Sequence, residues 1–168
     1  MSANYILEHL AVGNPVDAQC AHEHFDAFLN VAAEVGYDPS FFGDRPYLKV
    51  AIDDMKPIPA FRLMEAAEFI DQHINSKRIL VFCDGGVGRS PSVVVAYLCS
   101  KGMRFGQAVE FVAMRKPFMS ILPDLIESIR RDFHDLPARS CDWNPFPCLP
   151  SQSNQSLFKQ SIRSLSRP

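Results

Sequence analysis

Two apolar rhythms alternate along this chain. Short runs of consecutive apolar residues suit buried strands, and i, i+3, i+4 spacing suits helices. Tyr5 to Val12 reads as short extended pieces, ended by Gly13-Asn14-Pro15, and Ala18 to Phe25 reads as a short helix. Phe28-Leu29-Asn30-Val31 is a strand by this pattern, Gly36 to Pro46 is a loop, and Tyr47 to Ile52 is a strand ending at Asp53-Asp54. Pro57 and Pro59 bar a helix until about Ala60. Leu63, Ala66, Ala67, Ile70 and Ile74 then follow helical spacing. Ile79 to Phe82 is a buried strand, and the apolar stretch Val93 to Cys99 belongs to a helix with Pro91 in its first turn. Phe105 to Arg115 is another helix, and Pro123 opens a last one carrying Ile126, Ile129 and Phe133. The alternation predicts an α/β fold. Its central sheet should be mostly parallel, of about five strands, with helices on both faces.

Length and composition narrow this picture. A chain of 168 residues with 47% apolar content suits one domain with a real core. The periodicity fades near Leu136, which predicts a folded domain over 1–136 and a flexible tail over 137–168. The tail is rich in Ser and Pro and weakly basic, with Arg139, Lys159, Arg163 and Arg167 against Asp142. Phe158, Ile162 and Leu165 are spaced for one amphipathic turn, but a solvated tail is the simpler reading. A net charge of −2 argues against nucleic acid as a partner. Five cysteines without paired spacing point to a reducing, intracellular setting, cytoplasmic first and nuclear second. Cys20 and Cys99 read as packed apolar residues. No signal peptide is visible, and the longest apolar run, Val93 to Cys99, is too short to span a bilayer. The histidines lack metal-ligand spacing, so neither metal nor cofactor is expected, and a monomer is.

The chemistry concentrates in Cys83-Asp84-Gly85-Gly86-Val87-Gly88-Arg89-Ser90, between the strand ending at Phe82 and the next helix. Backbone N–H groups of such a loop and the helix N-terminus converge on one oxyanion. The same partial charges favour a thiolate, so Cys83 is a candidate nucleophile. Arg89 carries a planar fork suited to two phosphate oxygens. Residues Asp84, Gly85, Gly86, Val87, Gly88 and Arg89 form the candidate phosphate cradle. Ser90 is placed to hydrogen-bond the sulfur or to cap the helix. These parts suit phosphoryl removal through a phosphocysteine. That reaction needs an acid for the leaving oxygen, and Asp53 and Asp54 are the candidates at a strand end.

The pattern resembles the dual-specificity protein phosphatases of the cysteine-dependent phosphatase superfamily, from about Tyr5 to His134. Leu10-Ala11-Val12-Gly13-Asn14 resembles the family's first turn and Leu29-Asn30-Val31-Ala32 its next strand. Tyr47 to Asp54 resembles the strand leading to the general acid, Glu65 to Asp71 the following helix, and Cys83 to Leu98 the signature loop with its helix. The resemblance implies the cysteine-phosphatase fold, with a phosphorylated protein as substrate at phosphotyrosine and phosphoserine/threonine. It implies Cys83 as nucleophile, Arg89 as phosphate clamp and Ser90 as the hydroxyl that assists breakdown of the intermediate. Counting from Tyr47 along the strand implies Asp54 as the acid, with Asp53 as the alternative. Phe82 stands where the family usually has His, which implies weaker loop support and weaker activity near neutrality. Specificity is expected in the loops Gly36–Pro46, Asp53–Pro59 and Arg115–Pro123. Two other readings stay open: a phosphatase of phosphoglucan, phosphoinositide or nucleotide, and a pseudophosphatase that binds phosphoproteins without turnover.

Overall fold

Five short strands pair into one sheet in the order β1-β2-β5-β3-β4. They are β1 (Asn4–Leu7), β2 (Leu10–Gly13), β3 (Ala27–Ala32), β4 (Tyr47–Ile52) and β5 (Ile79–Phe82). The hairpin β1–β2 is antiparallel; every other pairing is parallel. A computed structural model describes residues 3–20 and 22–134, without the side chains of 22 and 131–134. The expected tail over 137–168 and its boundary at 136 lie outside the described residues. Among those described, no helix is long and apolar enough to cross a membrane.

Side-chain alternation divides the core into two layers. Ile79 and Val81 of β5 face one cluster with Leu10, Val12, Leu29 and Val31. Leu80 and Phe82 face the other with Ala11, Phe25, Phe28 and Phe42. The first layer is covered by α2 (Ala60–His73), α3 (Arg89–Ser100), α4 (Phe105–Arg115) and α5 (Leu125–His134). The second is covered by α1 (Pro15–Cys20) and a 3-10 turn at Pro39–Phe42. Helices thus lie on both faces, as the alternation predicts.

Three local readings are corrected. The first helix spans Pro15–Cys20, not Ala18 to Phe25. Asn14 Oδ1 accepts from the Asp17 N–H at 3.0 Å, and Asp17 Oδ2 accepts from the Asn14 N–H at 3.1 Å. This reciprocal capping box, with Pro15 at the first helical position, starts the helix where composition suggests only a turn. The last helix begins at Leu125, because Asp124 sits at φ +54 and leaves Pro123 outside. Cys20 is exposed; Cys99 is partly buried, and burial pushes its thiol up to about 11.

The topology positions the site. β5 runs parallel between β2 and β3, and Phe82 stands level with Gly13 and Asn30. The chain leaves β2 into α1 on one face and reaches α3 from β5 on the other. Open parallel sheets place their sites at such a crevice, beyond the carboxyl ends of the strands.

Candidate active site

The segment between Phe82 and Arg89 turns from β5 into α3 at that crevice. Gly86 adopts φ +65, and a Cβ there would lie 2.7 Å from the Gly13 carbonyl oxygen. Only glycine meets both demands, so the loop packs directly on the end of β2. Its other side is stapled to the α4–α5 connection. Ser120 N–H donates to the Val87 carbonyl at 2.9 Å. Ser92 Oγ donates to the Gly88 carbonyl at 2.8 Å and accepts from the Leu122 N–H at 3.0 Å. No side chain caps α3. Pro91 has no N–H and the Ser92 N–H bonds the Gly88 carbonyl at 3.1 Å, so the amides of Arg89 and Ser90 are the ones left at the start of α3, where the helix end favours an anion.

Phe82 is fully buried in the aromatic cluster beneath the loop, with its ring edge-on to Tyr37 at 5.8 Å. The loop therefore rests on apolar packing at the position where His is usual in the resembled family. Cys83 and Ser90 are both buried, and Sγ lies 3.3 Å from Ser90 Oγ.

Arg89 is only 3% exposed and holds the geometry together. Its Nη1 and Nη2 donate in bidentate fashion to Glu34, and Nη1 also donates to the Ile52 carbonyl at 3.2 Å. Nε is buried and makes no hydrogen bond; Asp54 Oδ1 forms a long ion pair with it at 3.6 Å. The Nε–Nη2 edge is thus left for a second oxyanion, and a buried donor without a hydrogen bond favours its arrival. The Arg89 hydrogen bonds pull Glu34 from the usual carboxylate range down to about 2. Glu34 stays charged across the working pH range and keeps the guanidinium aimed.

These groups surround a cleft of about 370 Å³. Cys83, Asp84, Gly85, Val87, Gly88 and Arg89 line it, with Asp54 and Met55 on one wall and Ser120 to Pro123 on the other. The structure brings Cys83, Arg89, Ser90 and Asp54 together. Asp53 points elsewhere: its carboxylate pairs with Lys56 at 3.0 Å, and both side chains are exposed. Of the three loops expected to set specificity, 53–59 and 115–123 reach the cleft. The third does not. In 36–46, Phe42 and Tyr37 turn into the aromatic layer.

Glu34 escapes the sequence reading. A lone acid just after a strand looks like any solvated loop residue, and its partner lies 55 positions away. The one available signal is its place at the carboxyl end of a parallel strand.

A buried thiol, a braced guanidinium and a glycine loop under a helix N-terminus define a cysteine-dependent phosphatase site in its architecture. The model of the dual specificity phosphatase catalytic domain matches residues 11–132, and the chain belongs to that family. It is 40% identical over 68 residues to Protein-tyrosine-phosphatase IBR5 of Arabidopsis thaliana, which covers 39% of this chain and 26% of the relative. With human Dual specificity protein phosphatase 4 it shares 35% over 98 residues, covering 56% of this chain and 24% of the relative. The chain thus spans about a quarter of the length of these two relatives. The fold matches the crystal structure of Tk-PTP in the active form with a TM-score of 0.70 at 23% identity, covering 80% of this chain and 98% of that one.

Proposed function

We propose that this chain hydrolyses phosphorylated proteins, at phosphotyrosine and phosphoserine/threonine, through a phosphocysteine on Cys83. The observation that carries the reading is Arg89, which lines the cleft together with the Cys83 thiol while its buried Nε makes no hydrogen bond. The amides of 84–89 cradle three phosphoryl oxygens, and Arg89 grips two of them. The Cys83 thiolate attacks phosphorus and the bond to the leaving oxygen breaks. The Asp54 carboxylic acid gives that oxygen its proton. Water then attacks the phosphocysteine and loses a proton to the Asp54 carboxylate. The P–S bond breaks, and Ser90 Oγ–H donates to the departing thiolate. Asp54 is favoured over Asp53 because it lines the cleft, whereas Asp53 pairs with Lys56.

The test is hydrolysis of a generic aryl phosphate under reducing conditions, from about pH 5 to 8 around the carboxyl and thiol ranges. Wild type is expected to turn over, and Cys83→Ser to fall at least roughly 10⁴-fold. Tight phosphopeptide binding without turnover at any pH would instead identify a pseudophosphatase.

A further inference from the structure

The mouth of the cleft is built differently from its floor. Met55 follows Asp54 and sits at φ +54, a left-handed conformation that a side chain other than glycine adopts at a cost. Its side chain is 75% exposed there. Val87 is also exposed, at the outer turn of the loop, and both line the cleft with Ile121. The acid Asp54 and the Asp84 carboxylate share that lining. Among the described lining residues Arg89 is the sole cation, and Glu34 already faces it.

On the reading of this cleft as a phosphatase site, we propose that Met55, Val87 and Ile121 select the residue beside the phosphorylated one. The rim takes a phosphopeptide with an apolar neighbour and turns away a second anionic group. One phosphate is matched by the loop amides, the start of α3 and the open edge of Arg89. A second anion meets the Asp84 carboxylate instead, since Asp54 carries its proton when substrate binds, and a like charge at a mouth suppresses such partners. An apolar neighbour releases water from the thioether and the branched side chains. Methionine suits this task because its unbranched side chain adapts to varied apolar shapes. The left-handed backbone at Met55 sets it at the rim directly after the acid.

The test uses phosphotyrosyl peptides that differ only beside the phosphorylated residue: leucine, aspartate, or a second phosphoresidue. A soluble short-chain phosphoinositide and an aryl phosphate run alongside. The leucine peptide is expected to exceed the aspartate peptide at least about fivefold in kcat/KM, and the doubly phosphorylated one roughly tenfold. In Met55→Ser the leucine-to-aspartate ratio is expected to fall about threefold, a comparison within one variant that cancels any general loss. Raising salt in wild type is expected to narrow the discrimination against aspartate, since exposed charges are screened. Equal kcat/KM for leucine and aspartate peptides, or faster turnover of the phosphoinositide, overturns the inference while aryl phosphate is still hydrolysed. No turnover of the aryl phosphate overturns the hydrolase reading and this inference with it.

Discussion

The floor and the rim of the cleft follow opposite rules. On the floor, Cys83, Arg89 and Ser90 are almost wholly buried, and all three make close polar contacts. At the rim, Met55 and Val87 stand exposed, and the Asp54 side chain is 59% exposed. Burial fixes positions to the tolerance that bond-making demands. Exposure leaves room for a substrate to supply the missing contacts. The comparison teaches that in this chain chemistry is held by the packing of two layers, and choice of substrate by two surface loops.

The sharpest way to break the comparison is at Arg89. Arg89→Lys keeps the charge but loses the fork, so both the Glu34 contact and the open edge disappear. Its kcat/KM for aryl phosphate is expected to fall roughly 10²–10³-fold. A loss under threefold would mean that the guanidinium does not clamp the phosphate.

Asp54→Asn comes next. Its turnover of a phosphopeptide with a poor leaving group is expected to drop about 10²-fold, and the alkaline limb of the pH profile to vanish. Asp53→Asn, removing only the exposed pair with Lys56, is expected to stay within about twofold. The reverse pattern would transfer the role of acid to Asp53.

Glu34→Gln is the subtler probe, because Glu34 acts only through Arg89. Inorganic phosphate is expected to inhibit this variant about tenfold less strongly, with kcat changed less than KM. A pH signature accompanies it. Glu34 lies near 2 in the fold against 4.5 as a free side chain, so its contribution to stability is present above about pH 4.5 and lost as pH falls through 2. Unfolding followed against pH should therefore show Glu34→Gln less stable than wild type near neutrality, with the two converging toward pH 2. Asp26, lowered from 3.8 to about 2 by its hydrogen bonds from Arg78, gives both proteins the same acid sensitivity. A constant gap across that range would mean that the Glu34–Arg89 pair is not what the substitution removes.

Much of the floor was legible in the sequence because its signals are local. Ile79–Phe82, Tyr47–Ile52 and Phe105–Arg115 fall on the expected residues, since uninterrupted apolar runs and helical spacing read the same in one dimension as in three. Cys83, Arg89 and Ser90 sit within one turn of chain, so their meeting needs no tertiary knowledge. What was not legible depends on distant partners. Glu34 joins the site only because β3 and β5 lie side by side. The loop 36–46 carries polar and turn residues suited to a rim, yet Phe42 and Tyr37 are captured by the aromatic layer under Phe82. The start of α1 was hidden because Asn14 and Pro15 serve a turn and a helix cap equally well.

The central claim is that phosphoryl transfer passes through sulfur on a preformed floor. Its most direct test is to mix the protein with substrate, quench in acid within the first turnover, and map the modified peptide by mass. The account predicts one phosphoryl group on Cys83. Ser90→Ala is expected to accumulate more of it, because the departing thiolate loses the hydroxyl 3.3 Å away. A protein that releases phosphate while Cys83 never carries it, in wild type and in Ser90→Ala alike, would contradict the account.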